Sequence, residues 1–176
     1  MDIELLRDII KYNPETGELI WKERSDDFPA SITSIRAFNT KNANKPIYQE
    51  QHRGYLRVCL FGKNYKSHRV AWAIYYGDWP DNQIDHIDGD RSNNRIENLR
   101  AASQTENSRN TKIPSTNMSG VIGVFWDKRR FKWEARISEN SKSVYLGEFD
   151  YFWDAVEARR DAEKKYGYHG NHGRVE

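Results

Sequence analysis

Asp85 and His86 are adjacent, Asn98 follows twelve residues after His86, and Asn107 lies nine residues after Asn98. Little in the local hydrophobic pattern calls for these four residues. A carboxylate can hold a hard metal ion, and an imidazole beside it can take a proton from water near neutral pH. A second oxygen donor from a helix can close the site. Together these groups are the minimum equipment for hydrolysing a phosphodiester. Taken singly, the same residues are turn chemistry: Asp88-Gly89-Asp90 and Asn93-Asn94 are ordinary loop formers. Asp88 to Asn94 also faintly resembles a calcium loop, but the closing Glu is not in register.

The elements around the motif must position it. Met1–Tyr12 has a roughly helical pattern, Asn13-Pro14-Glu15-Thr16-Gly17 is a turn signal, and Glu18–Lys22 reads as a strand. Residues 25–50 show little periodicity and read as a long loop or extended arm. Gly54–Leu60 alternates as a strand, Gly62-Lys63-Asn64 turns, and Tyr65–His68 returns as a second strand. Val70–Tyr76 is apolar at most positions and predicts a buried helix of about two turns. Ser103-Gln104-Thr105-Glu106 is a capping box, so a helix starting at Ser103 should carry Asn107 and Arg109. A linker follows at 113–119. Beyond it the pattern gives strands at Val124–Trp126, Lys132–Ile137 and Ser143–Phe149, turns at Asp127–Arg130 and Ser138–Lys142, and a helix over Phe152–Tyr166.

Composition narrows the class. Hydrophobic residues are 37% and charged residues 31%, so six Trp and ten Tyr must supply much of the core volume. The net charge of +2 carries no global nucleic-acid signature, but its distribution does. His52 to Gly77 holds five basic residues (Arg53, Arg57, Lys63, Lys66, Arg69) and no acidic one. Arg109 to Lys142 holds eight basic residues against Asp127, Glu134 and Glu139. Such stripes grip a phosphate backbone or form a solvated surface. The single cysteine, Cys59, excludes an internal disulfide and a Cys-based zinc site, which fits a reducing compartment. No apolar run approaches a membrane span and no signal-peptide pattern opens the chain, so a cytoplasmic protein of a bacterial host is expected, encoded by a phage or mobile element.

The run Ile84-Asp85-His86-Ile87-Asp88-Gly89-Asp90, then Asn93-Asn94-Arg95 and Glu97-Asn98-Leu99, and on through Ser103–Asn107, resembles the core of HNH endonucleases. His68-Arg69-Val70-Ala71-Trp72 extends the likeness upstream. The resemblance implies a ββα-metal fold around one divalent ion per site. His86 matches the general base, Asp85 a metal ligand, and Asn98 the central Asn that holds the hairpin loop and orients the base. Asn107 matches the third position, which is His in many relatives, so oxygen donors point to Mg²⁺ or Mn²⁺. The implied products carry 5′-phosphate and 3′-hydroxyl ends. His68, in a structural or phosphate-contacting role, joins Arg69 and Arg109 among the candidate DNA-binding residues.

Gly120–Tyr166 resembles the ethylene-response-factor, or Apetala-type, DNA-binding domain. The matching residues are Gly123-Val124, Trp133, Ala135, Ile137, Tyr145-Leu146-Gly147, Phe149 and Ala155, Ala158 and Ala162. That fold is three antiparallel strands on one helix. Alternation assigns Trp133, Ala135 and Ile137 to the helix side and Lys132, Glu134 and Arg136 to the free side. Lys128, Arg129, Arg130, Lys132 and Arg136 are the candidate contacts to double-stranded DNA. Ile122, Phe125 and Ser143 stand where that family has Arg, so the target sequence does not carry over.

The sequence therefore predicts an α+β protein: an N-terminal hairpin and arm (1–53), an HNH nuclease domain (54–112), a linker (113–119), the ERF-like domain (120–167) and a flexible tail (168–176). It predicts a monomeric, metal-dependent, homing-type DNA endonuclease, a natural nickase with one site per chain. The rival reading is a non-catalytic DNA-binding regulator derived from such a nuclease. A non-specific degradative nuclease would have little use for the second module.

Overall fold

The computed structural model describes residues 1–47, 49–140 and 142–175. The chain divides into two compact units, Met1–Ala101 and Ala102–Glu176. It is a mixed α and β protein built from small sheets and short helices. No helix among the described residues is long and apolar enough to cross a membrane.

The first unit opens with α1 (Ile3–Ile9), capped by the Asp2 carboxylate, which accepts from the Glu4 N–H at 3.1 Å. β1 (Ile10–Tyr12) and β2 (Leu19–Trp21) form an antiparallel hairpin across the expected turn. Asn13 builds that turn: its Oδ1 accepts from Glu15 at 3.0 Å, and its main-chain oxygen accepts from Gly17 at 2.8 Å. In the stretch expected to be an unstructured arm, α2 runs from Ile32 to Asn42 behind a Ser31 cap. Its apolar stripe is too thin to show as periodicity. Ile35 is its buried residue, and Phe38 packs edge-on to Trp21 with the Arg24 guanidinium 3.5 Å from the Phe38 ring centre.

β3 (Glu50–His52), β4 (Tyr55–Leu60) and β5 (Lys63–Lys66) make an antiparallel sheet. The β4–β5 turn falls at Phe61-Gly62, one position earlier than expected, because both residues take positive φ. The expected strand Tyr65–His68 is cut short, since α3 (Ser67–Tyr76) starts at Ser67 and takes His68 into its first turn. Val70, Ala71 and Ala73 bury one face of α3. Arg7 closes its far end, donating twice to the Ile74 carbonyl at 3.0 and 3.1 Å. Leu6, Ile10, Leu19, Val58, Leu60, Val70, Ile84 and Leu99 form the shared core. β6 (Gln83–His86) and β7 (Leu99–Ala102) pair beside it.

The second unit begins with α4 (Gln104–Ser108), whose start carries the expected capping box: Ser103 Oγ accepts from the Glu106 N–H, and Glu106 reaches back to the Ser103 N–H. β8 (Val124–Asp127), β9 (Lys132–Glu139) and β10 (Lys142–Phe149) form an antiparallel sheet in the order β10-β9-β8, and α5 (Phe152–Lys165) follows. Val124, Ala135, Ala155 and Val156 are its core, covered by Trp133, Leu146, Phe149 and Phe152. Gly123 is required here: a Cβ would lie 2.3 Å from the Arg136 carbonyl oxygen.

Burial departs from simple alternation on β9. Glu134, expected on the free face, is only 4% exposed and pairs with Arg136. Residues 168–175, where a flexible tail is expected, lie along 109–113 instead. The N–H groups of His169 and Gly173 donate to the carbonyls of Arg109 and Thr111, and Ile113 donates to Arg174. Beneath them Arg159 Nη2 donates to the His172 ring at 3.1 Å. Tyr48 of the expected arm, Ser141 of the expected turn and Glu176 of the expected tail lie outside the described residues.

Candidate active site

Asp85 and His86 are the last two residues of β6. Asp85 turns to β7 and meets Arg100, whose Nε and Nη2 donate to the same Oδ2 at 3.2 and 2.8 Å. His86 turns toward α3. Its ring lies edge-on to the His68 ring at 4.9 Å and 5.9 Å from the ring of Tyr55 on β4. Both Asp85 and His86 are buried.

The loop from β6 to β7 is pinned from inside. Gly89 donates to the His86 carbonyl at 2.9 Å, Asp88 Oδ1 accepts from the Asp90 N–H at 2.8 Å, and Asp90 Oδ1 accepts from Ser92. Asn93 Nδ2 donates to Asp88 Oδ2 at 2.7 Å. Asn98, 7% exposed, then latches the two ends together. Its Oδ1 accepts from the Asp88 N–H at 2.9 Å, and its Nδ2 donates to Asp88 Oδ1 at 2.9 Å and to the Asn93 carbonyl at 2.8 Å. Ile87 N–H donates to the Asn98 carbonyl. The side chains of Asp88, Asp90, Asn93 and Asn98 are thus engaged in the loop's own geometry.

Burial favours a neutral imidazole at His86. Burial pushes its pKa down, while the hydrogen bond to Asn94 and the charges of Asp88, Asp85 and Asp90 pull it back up. A neutral ring is the form that can accept a proton. His68 is pushed down to about 3, first by burial and then by His86, Lys66 and Arg69. It packs against the His86 ring and is 2% exposed, which fits the structural half of the role expected of it. Arg69 likewise turns its guanidinium to the carbonyls of Pro80 and Asn82 at 2.6 and 2.9 Å.

Three features beside the motif escaped sequence reasoning. Asn94 Oδ1 lies 3.1 Å from His86 Nε2, and in the sequence it is one half of an Asn-Asn pair with no sign of which Asn points inward. Arg100 is the carboxylate's partner. Lys66 and Arg91 stand over the Tyr55 ring at 4.7 and 4.8 Å and bring positive charge to the edge of the site. Lys66 belongs to the basic stripe, which was the available signal.

The donor set suits a hard cation, since Asp85 is a buried carboxylate and such an ion takes one or two carboxylates plus substrate phosphate. Among the described residues no three or more His, Cys, Asp or Glu gather as a metal site. Asn107 lies on α4, in the second unit. In that unit, four of the candidate DNA-contacting cations have acidic partners. Arg130 pairs with Glu148, Lys132 with Asp150, Arg136 with Glu134, and Arg109 with Glu139 at 2.6 Å. Lys128 and Arg129 are exposed on the β8–β9 turn.

Residues 65–109, which hold α3, the β6–β7 loop and α4, match the family model described as HNH endonuclease. The chain therefore carries an HNH endonuclease domain. Over 83 residues it is 39% identical to Protein 3.8 of Escherichia phage T7, across 47% of this chain and 69% of that protein, and it belongs to the same family. A solved structure of the HNH homing endonuclease I-HmuI, on its DNA binding and cleavage, is 28% identical with a TM-score of 0.41. That alignment covers 62% of this chain, which spans 55% of the length of the I-HmuI chain.

Proposed function

We propose that this protein is a metal-dependent DNA endonuclease of the homing type, which hydrolyses one phosphodiester bond per site to 5′-phosphate and 3′-hydroxyl ends. The observation that carries the reading is β6 itself. It presents a buried carboxylate and, next to it, a buried imidazole held neutral, on a loop latched by Asn98.

His86 takes a proton from a water molecule, whose oxygen attacks the phosphorus as the bond to the 3′ oxygen breaks. Asp85 would hold Mg²⁺ or Mn²⁺, the kind of ion that the family resemblance implies. The ion supplies stabilisation of charge on the phosphate and the leaving oxygen. Arg100 fixes the Asp85 carboxylate in place and reduces the cost of burying it. Lys66 and Arg91 draw the backbone toward the base.

The second unit is assigned to DNA binding. Its three antiparallel strands followed by one helix support the ERF-like reading, and Lys128 and Arg129 supply phosphate contacts. Arg130 and Lys132 reach DNA by exchanging acidic partners for phosphates, an exchange made easy by the low net value of surface ion pairs, while Arg136 and Arg109 contact phosphate with Glu134 and Glu139 still paired to them. The chain acts as a monomer and leaves a nick.

The test uses supercoiled plasmid and magnesium, beside His86→Ala. Open circles from the unaltered protein and none from His86→Ala are expected. No open circles from the unaltered protein would remove the enzyme reading in favour of a DNA-binding regulator, and equal nicking by both would remove His86 as the base.

A further inference from the structure

We propose that the groove between α2 and the chain at 23–26 is a phosphodiester site, in which Arg24 and Arg36 grip the DNA backbone. The proposal rests on the reading of the protein as a DNA endonuclease and adds a contact outside the segment matched at 65–109.

Packing gives α2 little reason to exist. A helix in a folded protein is held mainly by an apolar face, and this one buries only Ile35. It carries Arg36 and Lys41 and no acidic residue. The chain before it is nonetheless fastened to it. The Arg24 N–H donates to Asn39 Oδ1, and Asn39 Nδ2 donates to the Arg24 carbonyl, both at 2.9 Å. That reciprocal pair fixes Arg24 at an open groove of about 740 Å³, lined by Arg24, Arg36 and Asn39 together with Glu23 and Asp26.

The Arg24 side chain is held by rings and not by an anion. Its guanidinium carbon lies 3.5 Å from the Phe38 ring centre and 4.4 Å from that of Phe28. Rings take a guanidinium by its flat faces and leave its N–H edge for an acceptor. Among the described residues Arg24 has no ion pair, and its Nε is buried with no hydrogen-bond partner. Burial pushes its pKa below the ordinary arginine value. A methionine would pack in the same place without stranding a charge, so packing alone does not account for an arginine. A phosphate does, because its oxygens accept the planar fork two N–H groups at a time. Arg36 is exposed, has no ion pair among the described residues, and brings a second cation to the same groove. Glu23 and Asp26 are exposed there, so water and salt screen them. They weigh more against a doubly charged free phosphate than against the singly charged diester of a duplex.

Fluorescence anisotropy reads duplex DNA binding by the full-length protein, without metal, across a salt titration. Arg24→Met keeps an unbranched apolar stem against the rings and should match or exceed the parent's urea midpoint. Its slope of log Kd against log salt should fall by about 0.9, for one phosphate no longer neutralised. Over the decade below 1 M salt that change amounts to about eightfold weaker binding at 0.1 M. Arg36→Gln should show the same loss, and Arg24→Lys, which keeps the charge, should hold most of the parent slope. Glu23→Gln with Asp26→Asn should tighten binding at low salt, which a merely structural groove does not predict. A parent slope in either folded variant, Arg24→Met or Arg36→Gln, overturns the proposal. Should Arg24→Met not fold, Arg36→Gln, whose side chain is exposed, decides it alone. The expected slopes with no plasmid nicking by the unaltered protein in magnesium would keep the groove and overturn the nuclease reading. Nicking by the unaltered protein with parent slopes in the variants would do the reverse.

Discussion

Asn98→Ala removes three hydrogen bonds at once: Asp88 N–H to Oδ1, Nδ2 to Asp88 Oδ1, and Nδ2 to the Asn93 carbonyl. Two of them are neutral and worth about 1 kcal/mol each net, and the one to the carboxylate is worth about 1.5–2 kcal/mol. Asp88 is exposed, so water replaces part of what it loses. The expected cost is about 3 kcal/mol of unfolding free energy, a large share of the stability of a small protein. Asn98→Asp separates these contributions further. It keeps the acceptor for the Asp88 N–H but turns Nδ2 into an oxygen facing the Asp88 carboxylate and the Asn93 carbonyl. It should be less stable than Asn98→Ala at pH 7 and recover relative to it as the pH falls and carboxylates are protonated. Urea unfolding measures both variants. Nicking should fall about 100-fold, because the loop carries Asp88 to Asn94 and a displacement of about 1 Å is enough to misplace the base. A loss under about 1 kcal/mol in Asn98→Ala with nicking intact would refute the latch.

Acid should destabilise the protein through its buried histidines. His68 and His172 have folded values of about 3 and about 4, so the unfolded chain binds protons first. Their neutral burial costs nothing above about pH 6.5, and stability falls from there toward pH 4 by up to about 1.4 kcal/mol per pH unit for each. Urea midpoints at pH 7.5 and 5 measure this, and His68→Phe should flatten the slope; an unchanged slope argues against a neutral His68. Chelation should abolish nicking and magnesium restore it, with the urea midpoint nearly constant; nicking that survives chelation would remove the metal from the mechanism. Lys128→Ala with Arg129→Ala should lower the salt slope of DNA binding by about 0.9 for each phosphate that is no longer neutralised. Glu148→Gln, which releases Arg130, should tighten binding at low salt. Salt titrations that leave both variants on the parent line would remove the β8–β9 turn from the interface.

Local rules made several elements legible. The Asn13–Gly17 turn, the capping box at Ser103, the strands of the second unit and α5 each depend on residues within a turn or a strand repeat of one another. The same holds for Asp85, His86 and Asn98, whose types are costly enough in a half-buried strand and loop to announce chemistry. Short, lightly packed elements were not legible. α2 buries only Ile35, so its sequence carries no stripe, and the start of α3 at Ser67 is set by packing that overrides the β-forming character of Tyr65–His68.

What the sequence determined by itself was the inventory: one carboxylate, one imidazole, a loop built of Asp and Asn, and two basic stripes. Tertiary structure decided the partners. The pairing of β6 with β7 brings Arg100 to Asp85, α3 brings His68 under His86, and a hairpin some eighty residues upstream settles which of two neighbouring asparagines meets the ring. It also turned a row of cations on β9 and its turn into ion pairs with Glu134, Glu148 and Asp150. Hydrogen bonds and ion pairs depend on distances of a few ångströms between residues remote in the chain, and no local periodicity encodes those distances.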